Sequence, residues 1–258
     1  MIPTDQAISP LPDRIQTWQE SLQWHPSPSQ QQQFQAIYAA VLRGNQQMNL
    51  TRITEATEFW EKHLWDSLSG LSPWLQPDGV ITDWASPQSI NQVIDIGTGA
   101  GFPGLPAAVV HPTWQMTLLD STQKKIRFLQ DVVQTLGFSQ VQVIADRAEF
   151  LGHHLSHREQ YDLALVRAVG SAATCAEYAM PLVKVGGTVV LYRGQWNQDE
   201  SDRLAIAIAQ LGGQMLAVNA WQTPLTRGVR HCIYLQKHTP TDDAFPRPVG
   251  IPAKQPLA

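Results

Sequence analysis

The stretch from Val93 to Gly104, Val-Ile-Asp-Ile-Gly-Thr-Gly-Ala-Gly-Phe-Pro-Gly, constrains the fold more than any other part of the chain. Its first residues are mostly β-branched and apolar, which is typical of a strand buried on both faces. Three glycines then alternate, and glycine permits a tight turn that a ligand can approach closely: Gly97, Gly99 and Gly101. The prolines at positions 103 and 106 suit the first turn of a helix. A strand, a glycine turn and a helix N-terminus together predict a site for an anionic group.

The glycine spacing narrows the choice of ligand without settling it. Gly99, Gly101 and Gly104 complete the Gly-x-Gly-x-x-Gly spacing of dinucleotide-binding turns, in which an acid about 20 residues further on binds a ribose. Asp120 lies 19 residues after Gly101, at the end of the strand-like run Met116–Leu119. Because NAD and S-adenosylmethionine both carry a ribose, Asp120 fits either cofactor.

Asp95, near the end of the first predicted strand, favours S-adenosylmethionine. A buried carboxylate is costly unless it has a partner, and the amino acid end of S-adenosylmethionine carries an ammonium that an acid could meet. The glycine spacing keeps a nicotinamide-dependent oxidoreductase as an alternative. A non-catalytic module that binds adenosine is a third possibility.

Composition limits the class of protein. The chain has 258 residues, 43% of them apolar and 16% charged, which suits one α/β domain with an appendage. The net charge is −4, so a nucleic-acid partner would need a local basic face. The two cysteines give no disulfide framework, and neither a signal pattern nor a long apolar run is visible. We expect a soluble, cytoplasmic protein that does not enter a membrane.

Proline, glycine and helical periodicity predict four regions. They are a poorly ordered extension over residues 1–33, a helical N-terminal cap over 34–90, a sheet domain over 91–238 and a Pro-rich tail over 239–258. Within the cap, a helix is expected from Thr54 to Leu71, on which His63 and Asp66 are close enough to form a structural pair. Residues 77–91 are expected to form a linker-like hairpin.

The sheet domain alternates strand-like and helix-like runs. The last two strands, Met215–Val218 and Cys232–Gln236, have no helix between them and should be antiparallel. Arg167 closes the fourth strand, at the carboxyl edge where open α/β sheets place their sites. Three histidines at 153, 154 and 157 lack the spacing of a zinc motif and are expected in a surface loop.

A series of short motifs between about Phe34 and Lys237 is specific in combination. The motifs are Asn49-Leu-Thr, His63 with Asp66-Ser67, Asp95-Ile-Gly-Thr-Gly-Ala-Gly-Phe-Pro-Gly, Leu118-Leu-Asp-Ser, Lys125-Ile-Arg-Phe-Leu, Arg167-Ala-Val and Arg230-His231. Together they resemble the bacterial 16S ribosomal RNA guanine-N7 methyltransferases, also called glucose-inhibited division protein B.

The resemblance implies a fold, a reaction and a partner. The fold is that of class I S-adenosylmethionine-dependent methyltransferases: a mostly parallel seven-stranded sheet with a final antiparallel hairpin and a helical N-terminal cap. The reaction is methyl transfer from S-adenosylmethionine to the N7 of a guanine in 16S ribosomal RNA, free or in the small ribosomal subunit, by a monomer. A methyltransferase acting on a protein or small molecule is the alternative that the acidic net charge favours.

The resemblance also implies the site residues. Cofactor binding is expected of Gly97, Gly99, Gly101, Phe102, Asp120, Ser121, Thr122, Ala148, Glu149 and Arg167. Substrate binding is expected of Arg167, Arg193, Lys124 and Arg127. An anionic partner is implied for Arg167, either RNA phosphate or the cofactor carboxylate. No metal and no catalytic base are expected, because guanine N7 has a free lone pair and transfer to it needs mainly alignment. Arg193 and Lys62 stand where the family usually has Lys and Arg, and these two side chains differ in hydrogen-bonding geometry.

Overall fold

The computed structural model describes residues 8–75 and 90–257, and its strands form one seven-stranded sheet. In chain order the strands are β1 Gln92–Ile96, β2 Gln115–Asp120, β3 Val141–Ala145, β4 Tyr161–Arg167, β5 Val183–Arg193, β6 Gly213–Gln222 and β7 Val229–Lys237. Across the sheet they lie in the order β3-β2-β1-β4-β5-β7-β6. The pairs from β3 to β5 are parallel, whereas β7 is antiparallel to both β5 and β6. The predicted fold class and the antiparallel final pair are confirmed.

Helices cover both faces of the sheet. The α-helices are α1 Ile15–Leu22, α2 Pro28–Asn45, α3 Ala56–Phe59, α4 Asp66–Ser69, α5 Gly104–Val110, α6 Gln123–Leu136, α7 Ala148–Leu151, α8 Ala172–Ala179, α9 Gln198–Gln210 and α10 Ile251–Lys254. A π-helix, Trp60–Trp65, joins α3 to α4, and a short 3-10 helix, Ser72–Trp74, follows. Among the helices of residues 8–75 and 90–257, none is long and apolar enough to cross a bilayer.

The strand pleat divides the buried side chains into two layers. Val93 of β1 belongs to the layer beneath α2, α5 and α6, while Ile94 and Ile96 belong to the layer beneath α8 and α9. This alternation follows from the two-residue period of a strand. Asp95 therefore points to the same side as Val93, toward α5.

Residues 8–33 pack on the domain and contain helical structure, where the sequence predicted a poorly ordered extension over residues 1–33. Pro28 opens α2 at its first turn, and Ser27 and Gln30 form a capping box, so the glutamine run is helical. Trp18 of α1 is 2% exposed and packs edge-on against Trp60 at 4.8 Å between ring centroids. The order there comes from distant aromatic contacts, which local composition does not reveal.

The cap differs from one continuous helix. The helix predicted from Thr54 to Leu71 is divided into α3, the π-helix and α4. The side chain of Glu61, in the π-helix, is buried and accepts hydrogen bonds from the amides of Leu225 and Thr226, in the loop between β6 and β7. The cap is thereby tied to the far edge of the sheet. Most of the hairpin predicted over residues 77–91 lies outside the described residues.

The Pro-rich tail predicted over 239–258 also packs on the domain. Residues 239–257, here called the C-terminal strap, run past α7 and α8 and include α10. Leu257 is 9% exposed and belongs to the core layer beneath α8 and α9. The four-region division stays a prediction, but both proline-rich regions contribute buried side chains to the folded unit.

Candidate functional site

The glycine turn joins β1 to α5 at the carboxyl edge of the sheet. The backbone φ angles of Gly97, Gly99 and Gly101 are +72°, +62° and +98°, a region that side chains disfavour. The amides of Gly97 and Thr98 donate to the carbonyl of Leu119, at 2.8 and 3.0 Å. The turn is therefore fixed against the end of β2.

Asp95 holds the same turn from inside. Its Oδ2 accepts from the Thr98 hydroxyl at 2.6 Å and from the Gly104 amide at 2.7 Å. Burial raises the pKa of Asp95 to about 6, although these two hydrogen bonds and the charge of Arg167 act in the opposite direction. Its Oδ1 is buried and has no partner among the described residues. The carboxylate thus shapes the turn with one oxygen, and a contact to a cofactor ammonium stays a prediction.

Asp120 lies opposite the turn, at the end of β2. Its Oδ2 accepts from the amide of Gly99 at 3.0 Å, and its Oδ1 accepts from the amide of Thr122 at 2.8 Å. Lys125 approaches the same carboxylate at 3.6 Å. Since each carboxylate oxygen has a second lone pair, Asp120 can still accept two hydroxyl donors.

A cleft of about 360 Å³ opens beside Gly97 and Asp120. Its other lining residues come from the ends of β1 to β4, from α6, α7 and α8 and from the C-terminal strap: Ile96, Leu119, Ser121, Thr122, Lys125, Asp146, Arg147, Ala148, Glu149, Ala168, Val169, Tyr178 and Ala253. A larger cavity of about 460 Å³ lies between α1 and α2, but its lining includes neither the glycine turn nor a strand end. We place the candidate site at the smaller cleft, because strand ends of open α/β sheets carry the ligand sites.

Glu149 forms one end of the cleft and is 4% exposed. Its Oε1 accepts from the Tyr178 hydroxyl at 3.2 Å and from the Gly250 amide at 3.0 Å. Burial alone would raise the pKa of Glu149, but hydrogen bonds from Gly250 and Arg147 outweigh it and the pKa is lowered. Burial and the Glu149 charge raise the pKa of Tyr178 to about 12.

Arg167 lies outside the lining of this cleft and is bound by the cap. Its Nη1 donates to Asp66 Oδ2 at 2.8 Å and to the Lys62 carbonyl at 3.1 Å. Among the described residues, the anionic partner of Arg167 is the Asp66 carboxylate. A further contact to RNA phosphate or to the cofactor carboxylate stays a prediction. The same Asp66 accepts from Arg230 Nε at 3.1 Å with its other oxygen. The helix pair expected between His63 and Asp66 is replaced by contacts of each residue to Arg167.

His63 connects Arg167 to the glycine turn. Its Nδ1 lies 3.3 Å from Arg167 Nη2, and its Nε2 lies 2.9 Å from Thr51 Oγ1. Its ring stacks on Phe102 at 4.5 Å between centroids and 13° between planes. Burial, together with the charges of Arg167 and Lys62, lowers the pKa of His63 to about 3.

The remaining predicted substrate residues divide into two groups. Arg193, at the end of β5, donates to the Gly170 carbonyl at 2.5 Å and approaches Glu200 at 3.8 Å. Lys124 and Arg127 are exposed on α6, and neither lines the cleft. Lys125 lines it instead, a residue that the sequence analysis named only as the start of the motif Lys125-Ile-Arg-Phe-Leu.

The described residues contain no group of three or more His, Cys, Asp or Glu side chains that could hold a metal ion. The histidines at 153, 154 and 157 each contact a different group: the Pro246 carbonyl, the Ser156 hydroxyl and the Tyr161 hydroxyl. The residues of the cleft are instead suited to a nucleoside. They combine a backbone turn open to close approach, a carboxylate with free lone pairs and a buried far wall.

Known proteins match this chain over most of its length. Residues 30–231 match the family model GidB, described as rRNA small subunit methyltransferase G. The Ribosomal RNA small subunit methyltransferase G of Trichormus variabilis is 50% identical over 247 residues, 96% of this chain and 98% of that protein. The protein of the same name from Synechococcus elongatus is 51% identical over 94% of this chain and 96% of its own length.

A solved structure, the antibiotic-resistance methyltransferase Kmr, has the same fold. It aligns with a TM-score of 0.50 and 13% sequence identity, over 58% of this chain and 88% of its own. At that identity the likeness concerns the fold alone. The family match and the two relatives cover most of the chain, and they agree with the resemblance carried by the sequence motifs. The chain belongs to the GidB family of small-subunit ribosomal RNA methyltransferases.

Proposed function

We propose that the cleft beside the glycine turn binds S-adenosylmethionine and that the protein transfers its methyl group to the N7 of a guanine in 16S ribosomal RNA. Membership of the family makes the protein an S-adenosylmethionine-dependent methyltransferase of small-subunit ribosomal RNA. The observation that supports the cofactor site is Asp120, whose two oxygens each hold one backbone amide at the rim of the cleft. We further propose that the protein acts as a monomer in the cytoplasm.

The residues present fit the cofactor. Asp120 would accept hydrogen bonds from the two ribose hydroxyls, and Gly97 would allow the ligand close to the backbone. Ser121 and Thr122 would border the ribose, and the Ala148-Glu149 end of the cleft would enclose the adenine. When bound, S-adenosylmethionine supplies an activated methyl group on a sulfonium.

The cap would then position the guanine. Three of the five N–H donors of Arg167 have protein partners within the described residues, which leaves two for RNA phosphate or for the cofactor carboxylate. His63 is uncharged at neutral pH and held on both sides, so we assign it a structural role. Guanine N7 needs no deprotonation, and alignment alone can supply the rate enhancement.

The cofactor site is tested by Asp120→Asn and by removal of the ligand's 2′-hydroxyl. We expect Asp120→Asn to weaken S-adenosylhomocysteine binding by about 1–3 kcal/mol, because charge-assisted hydrogen bonds are lost. Calorimetry should also show that the 2′-deoxy ligand loses less affinity in the variant than in the wild type. The matched control is Asp146→Asn, since Asp146 lines the same cleft. Equal losses for the deoxy ligand in both proteins would contradict the assignment.

The substrate is tested by methyl transfer to purified small ribosomal subunits lacking the modification. Nucleoside analysis of the RNA should detect 7-methylguanosine at one position. Subunits, protein-free 16S RNA and ribosomal proteins offered separately would identify the form of the substrate. Transfer to protein with none to RNA would support the alternative and contradict the proposal.

A further inference from the structure

The C-terminal strap, residues 239–257, lies beyond the segment 30–231 that matches the family model. It is nevertheless held to the domain by charged side chains that are buried or half-buried. The Arg158 guanidinium donates to the carbonyls of Thr241, Asp242 and Phe245, at 2.6, 3.1 and 2.8 Å. Such charge-assisted hydrogen bonds are about twice as strong as neutral ones, so the first part of the strap has a defined position.

A second anchor holds the middle of the strap. Arg247 donates to the carboxylate of Glu177 through Nε at 2.9 Å, Nη2 at 2.6 Å and its own amide at 2.8 Å. Glu177 is 0% exposed, and without Arg247 its charge would be buried and unpaired. Thr174 donates to the Pro252 carbonyl at 2.9 Å. Both contacts fix the strap on α8, beside the cleft.

From these anchors the strap reaches the end of the cleft formed by Glu149. The Gly250 amide donates to Glu149 Oε1, and Ala253 of α10 lines the cleft. Tyr178, on α8, donates to the same carboxylate oxygen and lines the cleft beside it. Glu149 therefore joins three elements: α7, α8 and the strap.

We propose that the C-terminal strap is the outer wall of the adenosine end of the cofactor site, and that Glu149 is a positioning residue that acts by holding this wall. The inference rests on the proposed function, which places the adenine at this end of the cleft. Oε1 accepts from Tyr178 and Gly250 and also lies 3.5 Å from Arg147 Nη2, so this oxygen is committed to the protein. A side chain larger than that of Ala253 would extend into the space of the ligand.

Ala253→Leu in the full chain tests the wall directly. We expect S-adenosylhomocysteine to bind about tenfold more weakly, the scale of an overpacked contact, with the melting temperature unchanged. The matched control is Gln255→Leu, which introduces the same side chain at an exposed neighbouring position outside the cleft. Binding by Ala253→Leu that equals the wild type would overturn the inference.

A double-mutant cycle tests the role of Glu149. If Glu149 acts through the strap, Glu149→Ala releases the wall, and Ala253→Leu should then cost less affinity than it does alone. If the affinity of the double variant equals, within about twofold, the value expected from multiplying the two single fold-losses, Glu149 acts independently of the strap. That result would overturn its positioning role. If Glu149→Ala does not fold, Glu149→Gln takes its place in the cycle, since one amide oxygen cannot accept as strongly as a carboxylate.

Hydrogen exchange on the unmodified protein gives a second readout. S-adenosylhomocysteine should slow amide exchange over residues 247–254 and leave α1 unaffected. If amide exchange over residues 247–254 is unchanged when the ligand is bound, the strap does not form a wall of the site. A wild-type protein that binds no S-adenosylhomocysteine would overturn the proposed function and, with it, this inference. Binding that is sensitive to Asp120→Asn but insensitive to Ala253→Leu would overturn the inference alone.

Discussion

At the scale of single residues, the hydrogen bonds of His63 determine which of its ring nitrogens carries the proton. Arg167 can only donate, so Nδ1 must accept and the proton resides on Nε2, facing Thr51. The pKa in the folded protein, about 3, is below the ordinary value of 6.5. As the pH falls below about 6.5, the unfolded chain therefore binds a proton that the folded protein excludes, and stability is lost.

We predict that His63→Gln will reduce the acid sensitivity of folding. The wild type should lose up to about 1.4 kcal/mol more per pH unit than the variant between pH 6.5 and 5. Urea unfolding at several pH values measures this difference. Burial raises the pKa of Asp95 to about 6, so protonation of Asp95 favours the folded state as the pH falls. This effect is present in both the wild type and the variant and cancels when their stabilities are compared. Parallel pH profiles would show that His63 is charged in the folded state.

Gly97 and Gly137 form a matched pair for testing the glycine turn. Both have a positive φ, +72° and +69°, so the backbone conformation alone should make alanine at either position cost about 1–2 kcal/mol of stability. A Cβ at Gly97 would lie 2.5 Å from Val169 Cγ2, whereas one at Gly137 meets nothing within 4 Å. We predict that Gly97→Ala weakens S-adenosylhomocysteine binding and that Gly137→Ala does not. Calorimetry measures the loss of affinity, and thermal melts measure the loss of stability. Equal affinities of the two alanine variants for S-adenosylhomocysteine would contradict the assigned role of Gly97.

The chain positions of the residues at the strand ends could be predicted from the sequence, whereas the contact of Arg167 with Asp66 could not. Gly97 and Asp120 follow strand ends at a spacing that local pattern reveals. Asp66 is 101 residues from Arg167 in the chain, and their contact depends on where the cap packs. Such a pairing has no local signal, because the same arginine could equally have faced a phosphate.

At the scale of elements, the π-helix places a buried carboxylate against the loop between β6 and β7. The Glu61 side chain accepts from the amides of Leu225 and Thr226 and from the Thr226 hydroxyl, at 2.6, 2.9 and 2.7 Å. Burial alone would raise the pKa of Glu61, but these hydrogen bonds lower it overall. Its contribution to stability is therefore present above pH 4.5 and lost at lower pH.

We predict that Glu61→Gln destabilises the protein by about 1–3 kcal/mol, because at least one buried donor loses its acceptor. Denaturant unfolding at pH 7 measures the loss. Glu58→Gln is the control, since the Glu58 side chain is 39% exposed and its ion pair among the described residues is with Lys62, one turn away. A variant at Glu61 no less stable than the control would show that the loop docks without this carboxylate.

The strands and the long helices of the sheet domain could be predicted because their patterns are local. Val93, Ile94 and Ile96 read as a buried strand wherever they pack, and Gly137 ends α6 in a left-handed conformation, as expected. The helix containing Trp18 and the path of the C-terminal strap could not be predicted in this way. Their order comes from contacts such as Arg158 with Phe245, 87 residues apart, which composition does not encode.

At the scale of the whole molecule, a net charge of −4 must coexist with RNA binding. We predict that the KM for small ribosomal subunits rises steeply with salt while the KM for S-adenosylmethionine does not, because only RNA releases counterions on binding. Arg193→Ala should lower the slope of log KM against log salt by about one unit.

The control for this prediction lies on the same strand. Lys184 and Arg193 stand near opposite ends of β5, and Lys184 pairs with Asp162 at the edge away from the cleft. Lys184→Ala should therefore leave the salt slope unchanged. Equal salt slopes for the wild type and Arg193→Ala would show that Arg193 does not contact RNA phosphate.

The position of the C-terminal strap has a consequence for biosynthesis. The ribosome makes the strap after β7, when every strand and the helices α1 to α9 have already been synthesised. Until then Glu177 lacks Arg247 and Glu149 lacks the Gly250 amide, so a nascent chain that has only reached β7 carries uncovered acids beside its cleft. Completion of the cleft is thus a late event in translation, and a chain cut short after β7 would lack the part of the cleft that the strap supplies.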